Sequence, residues 1–140
     1  MRLTIYTDGA SRGNPGNASY GFVLKDEKGK LIFEEGKYLG VATNNFAEYS
    51  AILAVFLYVK ANFKDNGQLV LDFFMDSKLA VEQLSGRFKV KNPVIRGFHA
   101  KIYDISKYFK SVSYKHIPRE LNKEADRMAN LALDSLLFLR

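Results

Sequence analysis

At 140 residues, 47% of them hydrophobic, the chain has enough apolar material for one sizeable core, and a single domain spanning 1–140 is expected. Its 21 Lys and Arg against 15 Asp and Glu leave a net charge of +6, a bias toward polyanionic partners. The absence of Cys excludes disulfides, thiolate metal ligands and cysteine nucleophiles, and no run approaches the ~18 apolar residues of a membrane span, so a soluble, cytoplasmic protein is expected.

The chain opens with an alternating stretch, Arg2 to Thr7, that places Leu3 and Ile5 on one face and stops at Asp8-Gly9. A turn-rich segment from Ser11 to Asn17 reads as a loop. Two further strands, Ser19 to Leu24 and Lys30 to Leu39, flank a hairpin connection at Asp26-Glu27-Lys28-Gly29. These three strands predict an antiparallel meander.

The period becomes helical from Asn45 to about Phe63, where Ala47, Ala51, Ile52, Val55 and Val59 share a face before the Asp65-Asn66-Gly67 break. Gln68 to Met75 is almost continuously apolar, which predicts a strand buried on both faces and parallel to its neighbour after the helical crossover. It ends at Asp76. A short helix from Ser77 to about Leu84 follows, then breaks at Gly86 and Asn92-Pro93, a helix over Val94 to Phe109, and a last strand from Ser111 to Ile117. After the turn at Pro118-Arg119-Glu120, a closing helix is expected from Leu121 to about Leu137, with Leu121, Ala125, Met128, Ala129 and Ala132 on its apolar face. The order βββαβααβα predicts an α/β domain with a mixed five-stranded sheet flanked by helices.

Four acids stand where acids are costly. Asp8 and Asp76 each end an apolar strand, and parallel neighbours bring their C-terminal ends together. Glu48 lies in the first turn of its helix on the stripe of Ala51, Ile52 and Val55, and Asp126 lies near the buried edge of the last helix, one turn after Asn122. Each has a plain structural reading: Asp8 as a turn former, Glu48 in a capping box with Asn45, Asp76 as a cap for the helix starting at Ser77, and Asp126 as the partner of a nearby Arg. Together, though, four inward acids repel one another, and a cation removes that conflict. Hard oxygen donors suit Mg²⁺ or Mn²⁺, and two such ions about 3.5–4 Å apart can activate a water and stabilise a departing oxygen at a phosphodiester. Asp72, in mid-strand with no loop beside it, is left out of this set.

Tyr6-Thr7-Asp8-Gly9-Ala10-Ser11 with Gly13-Asn14-Pro15-Gly16, Thr43-Asn44-Asn45 with Ala47-Glu48, Asp76-Ser77, and Pro118-Arg119-Glu120-Leu121-Asn122 with Ala125-Asp126 resemble, in order, the signatures of the type 1 ribonuclease H family. The resemblance covers about residues 2 to 133. It implies metal-dependent hydrolysis of the RNA strand of an RNA–DNA hybrid, leaving 3′-hydroxyl and 5′-phosphate ends, with Asp8, Glu48, Asp76 and Asp126 as ligands to two ions. Glu48 would also lie near the RNA 2′-hydroxyl that separates substrate from DNA.

The same resemblance implies minor-groove contacts from the Gly9 to Gly13 segment, Ser11 included, and from Asn14, Asn44, Asn45 and Lys78, with Thr43 on a DNA-strand phosphate and Arg12 near the backbone. Asn44 and Asn45 also have a reading as helix caps, and Arg12 and Lys78 one as solvated cations. Where many relatives carry an assisting His, this chain offers Arg119 in the loop before the last acid, favoured here over His116, which is still on the strand; His99 has no motif around it. Arg87, Lys89, Lys91 and Arg96 stand where some relatives insert a basic protrusion. Rival readings are a related nuclease for double-stranded RNA or DNA junctions, and a hybrid-binding module without catalysis. A monomer is expected, with partner docking by the Leu136-Leu137-Phe138-Leu139 tail as an additional reading.

Overall fold

The computed structural model describes residues 1–135, so the tail from Leu136 to Leu139 and the expected helix end at Leu137 lie outside the described residues. The elements are β1 (Arg2–Gly13), β2 (Gly16–Lys25), β3 (Leu31–Ala42), α1 (Asn44–Asn62), β4 (Val70–Met75), α2 (Lys78–Leu84), α3 (Pro93–Ser106), β5 (Ser111–His116) and α4 (Lys123–Asp134). Short 3₁₀ turns at Asn66–Gln68 and Arg119–Leu121 complete the chain. The sheet order is β3-β2-β1-β4-β5, antiparallel through β1, β2 and β3 and parallel where β4 joins β1 and β5 joins β4. This is the mixed α/β sheet that the element order predicts.

One face of the sheet carries the core. Leu3 and Ile5 of β1, Phe22 and Leu24 of β2, and Leu71, Phe73 and Met75 of β4 meet Ile52, Val55, Phe56 and Val59 of α1, with Ile95 and Ile102 of α3 behind them. Phe56 and Phe73 pack with ring centroids 5.0 Å apart. Each fully buried aromatic or aliphatic side chain here contributes about 1.5–3 kcal/mol. On the opposite face α4 packs over β2, β3 and β1.

The structure departs from the sequence reading in several places, and β2 and β3 also extend beyond their expected ends, to Gly16–Lys25 and Leu31–Ala42. The strand expected to stop at Asp8-Gly9 continues to Gly13, because Ala10 to Gly13 pair with Gly16 to Ser19 and reduce the expected loop to a tight turn at Asn14-Pro15. β4 is buried on one face only: Leu71, Phe73 and Met75 are covered, whereas Val70, Asp72 and Phe74 are partly exposed because α4 does not extend over that side. α3 is capped by the Asn92 side chain, which accepts from the Val94 and Ile95 amides, and so starts at Pro93 and ends at Ser106. α4 starts at Lys123 because Arg119–Leu121 forms a 3₁₀ turn, which leaves Leu121 64% exposed rather than on an apolar helix face.

Candidate active site

The parallel register of β1 and β4 pairs Thr7 with Met75, so Asp8 and Asp76 follow on adjacent strand ends. Glu48 joins them because β1 has no side chain at position 9. A Cβ on Gly9 would lie 2.8 Å from the Ala47 Cβ and closer still to the Glu48 amide, so only glycine lets the first turn of α1 lie against the strand. The outcome is a cluster in which carboxylate oxygens of Asp8, Glu48 and Asp76 lie within 4.8 Å of one another. Asp126 is brought in by α4, which sits low on the sheet over two more glycines: a Cβ on Gly21, the register partner of Asp8, would be 2.9 Å from the Met128 Cβ, and one on Gly36 would meet the Met128 backbone. The Ser19 hydroxyl pins the same helix by donating to the Ala129 carbonyl at 2.6 Å. From that position Asp126 is near enough to Asp8 to disfavour the ionised form of its carboxyl.

The electrostatics of this arrangement oppose ionisation. Burial pushes the Asp8 carboxyl up to about 8, with Asp76 and then Asp126 adding to the effect and Arg119 opposing it. Glu48 is held well above the usual carboxylate range, by burial first and then by Asp8 and Asp76, against a hydrogen bond from the Gly9 backbone. Burial also raises Asp76, while the Asn122 amide and Arg119 act in the other direction. Glu48 Oε2 is buried and has no hydrogen-bond partner. An orphaned anionic oxygen among like charges is costly unless a cation meets it. The donor set, all hard carboxylate oxygens, fits Mg²⁺ or Mn²⁺.

The four acids open into a cleft of about 500 Å³ that Gly9, Ser11, Arg12, Asn44, Arg119, Asn130 and Leu133 also line. The Ser11 hydroxyl is directed to the Gly13 and Ala42 carbonyls, and Arg12 pairs with Asp134 at the cleft edge. Asn14 accepts from the Asn44 amide through its side-chain oxygen at 3.1 Å, fixing the β1–β2 turn against the start of α1. Gly13, at φ +106°, makes that turn. Asn14, Thr43 and Asn45 border a neighbouring hollow with Asn92 and Val94.

Several of the plain readings meet other partners. The cap of α1 is Thr43, whose hydroxyl accepts from the Phe46 amide at 3.1 Å; neither Asn44 nor Asn45 occupies that position. Ser77, not Asp76, caps α2. Asp72 pairs with Arg2 and accepts from the Ser113 hydroxyl, away from the cluster. Lys78 is exposed and outside the cleft. His116 is exposed at the end of β5 on the side of Glu82, while Arg119 lines the cleft and acts on Asp8 and Asp76. His99 contacts the Gln83 carbonyl at 3.0 Å. Sequence reasoning named Asn122 only as part of the motif before Asp126 and did not single out Asn130; they lie one helical turn before and after Asp126, and that i±4 spacing was the available signal.

The reverse-transcriptase-like family model matches residues 6–132. The chain is 40% identical over 133 residues to ribonuclease HI of Halobacterium salinarum, covering 95% of this chain and 65% of that protein. The chain belongs to the type 1 ribonuclease H family. It is also 40% identical over 137 residues to the bifunctional protein Rv2228c of Mycobacterium tuberculosis, covering 96% of this chain but 36% of that protein, so it spans about a third of the mycobacterial relative. Among solved structures it resembles RNase H1 of H. salinarum (TM-score 0.89, 38% identity, 96% of this chain and 99% of that one). The LC11-RNase H1 structure in complex with RNA/DNA hybrid gives a TM-score of 0.91 at 39% identity, again with 96% of this chain and 99% of that one covered. For a ribonuclease H relative, clustered acids at the ends of the two central strands stand at the usual location of function in an open α/β sheet.

Proposed function

We propose that this chain, as one ribonuclease H domain, is an endonuclease that hydrolyses the RNA strand of RNA–DNA hybrids, leaving 3′-hydroxyl and 5′-phosphate ends. The observation that carries the proposal is the convergence of Asp8, Glu48 and Asp76, buried or half-buried and ill-suited to ionise without a cation, with an orphaned Glu48 oxygen among them. The LC11-RNase H1 complex with RNA/DNA hybrid supports the choice of substrate.

Asp8, Glu48, Asp76 and Asp126 would hold two Mg²⁺ or Mn²⁺ ions. When bound, such ions supply Lewis-acid activation of a water and charge stabilisation at the departing oxygen. The protein's own share is positioning. Asp8 and Asp76 are fixed by the sheet, Glu48 by the Gly9 approach and Asp126 by α4, so the site is organised before substrate arrives. Glu48 would test for the RNA 2′-hydroxyl. Arg119, exposed at the cleft rim, favours the ionised form of Asp8 and Asp76 and offers five N–H donors to a phosphate. Gly9, Ser11, Arg12, Gly13, Asn14, Asn44 and Asn45 would follow the minor groove, Thr43 would meet a DNA-strand phosphate, and Lys78, being outside the cleft, would reach the duplex only beyond its rim. No helix among the described residues is long and apolar enough to cross a membrane. A cytoplasmic monomer is the setting we propose.

The test is cleavage of a labelled RNA–DNA hybrid with Mg²⁺, Mn²⁺ or EDTA, alongside matched double-stranded RNA and a DNA junction, for the wild type and Asp76→Asn. Metal-dependent cutting of the hybrid RNA strand that is lost in the variant is the expected result. Preference for another substrate would assign a related nuclease, and hybrid binding without cutting would assign a non-catalytic module.

A further inference from the structure

Asn122, which immediately precedes α4, and Asp126 and Asn130 within it are polar residues at four-residue intervals. Asn122 is 1% exposed, and its amide donates to the Thr7 carbonyl at 2.9 Å rather than capping the helix that starts beside it. It ties the start of α4 to the residue preceding Asp8. Asn130 lies in mid-helix and half-buried on the cleft wall; its Nδ2 donates to the Asp126 carbonyl at 2.9 Å and to Asp126 Oδ1 at 3.2 Å.

Asn is a poor residue for a helix interior, because its side chain competes for backbone groups and loses rotamer freedom. At position 130 that cost is offset by a contact to the one acid of the four that is carried by α4. Asp126 is only partly buried and borders the cleft, so burial alone leaves its carboxylate rotamer freedom. One bifurcated donor removes that freedom: the bond to the backbone carbonyl fixes the amide, and the amide fixes the Oδ1 direction. Glu48, in contrast, is held by burial and by the Gly9 backbone.

We propose that Asn130 is a positioning residue that holds the Asp126 carboxylate in its ligating orientation, with Asn122 fixing the start of the same helix against β1. The inference rests on the proposed divalent-ion site. Groups that orient ligands in this way typically change ion affinity by about 10–100-fold when removed.

Calorimetric titration of Mn²⁺ into the wild type, Asn130→Ala and, as a control, Arg127→Ala tests it, with thermal melts in EDTA and hybrid cleavage run in parallel. Asn130→Ala is expected to weaken Mn²⁺ binding about tenfold and to raise the Mn²⁺ concentration for half-maximal cleavage correspondingly. Its KM for the hybrid and its melting temperature without metal should stay near those of the wild type, and Arg127→Ala should bind as the wild type does. Unchanged Mn²⁺ affinity in Asn130→Ala, or a loss seen only in melting temperature, overturns the assignment while leaving the metal site standing. Absence of Mn²⁺ binding by the wild type overturns both.

Discussion

Replacing Asp8 with Asn is the perturbation with the largest physical signature outside catalysis. Asp8 is 6% exposed and its carboxyl is raised from 3.8 to about 8 by burial, Asp76 and Asp126. A folded-state pKa above the unfolded one means the fold binds a proton that the unfolded chain has released, so stability falls as pH rises from about 4 to 8 and levels off beyond. At about 1.4 kcal/mol per pKa unit, the full cost of ionising Asp8 in the fold has an upper bound of about 6 kcal/mol. The asparagine removes the charge but still buries an amide, and the neighbouring acids relax, so a net gain of about 2 kcal/mol at pH 8.5 is the expected size. For a domain of this length that corresponds to a rise of about 5 °C or more in melting temperature. The assay is thermal unfolding of wild type and Asp8→Asn in EDTA at pH 5 and pH 8.5. The gain should be largest at pH 8.5 and mostly gone at pH 5. Saturating Mg²⁺ should reverse the order, since at a hundred times Kd it adds about 2.7 kcal/mol to the protein that binds it. An Asp8→Asn protein that is less stable than the wild type at pH 8.5 without metal would make Asp8 a structural residue and refute the reasoning.

Gly9→Ala inserts a methyl group into the contact with Ala47 and Glu48; a loss of about 3 kcal/mol in denaturant unfolding is expected, together with loss of cleavage. Arg119→Ala removes the positive charge that opposes the raised carboxyls of Asp8 and Asp76, so their pKa values rise further. The acid limb of the pH–rate profile should therefore move to higher pH and kcat should fall about tenfold or more. His116→Ala, on the Glu82 side and outside the cleft, should stay within about twofold of wild type in the same assay. Arg87 is tied to Glu82 through two hydrogen bonds, which reduces the basic cluster to Lys89, Lys91 and Arg96 as exposed cations. With Arg119 at the cleft these make about four cations, so a log–log salt slope for hybrid binding near −3 to −4 is expected, and a slope near −8 would refute this count.

The order of elements and the four acids were legible because both have strong local signatures. Apolar periodicity marks α1, the run before Asp76 marks β4, and a charged residue that ends or interrupts an apolar pattern stands out wherever it occurs. What was not legible depended on partners distant in sequence. Ala10 to Gly13 contain little that distinguishes a strand from a loop; they are a strand because Gly16 to Ser19 pair with them. β4 reads as buried on both faces from its composition, yet the extent of α4, fixed more than 45 residues later, leaves one face half open. Thr43, Asn44 and Asn45 are all acceptable caps by residue type, and only the backbone angle at which the chain leaves β3 selects Thr43.

Glycine carries the same lesson into the site itself. Gly9, Gly21 and Gly36 lie in strands, where glycine weakens pairing and reads as a bulge or a break. All three are explained instead by close backbone approach: α1 against Gly9, and α4 against Gly21 and Gly36. Those two approaches bring Glu48 and Asp126 to the strand ends where Asp8 and Asp76 already lie. Strand propensity is therefore given up at three positions to converge four acids whose mutual repulsion costs further stability. A folding optimum would fill the notches and disperse the charge. A sequence that does neither, at every one of these positions together, has its site determined by a requirement other than stability, and the divalent-cation centre we propose would meet it.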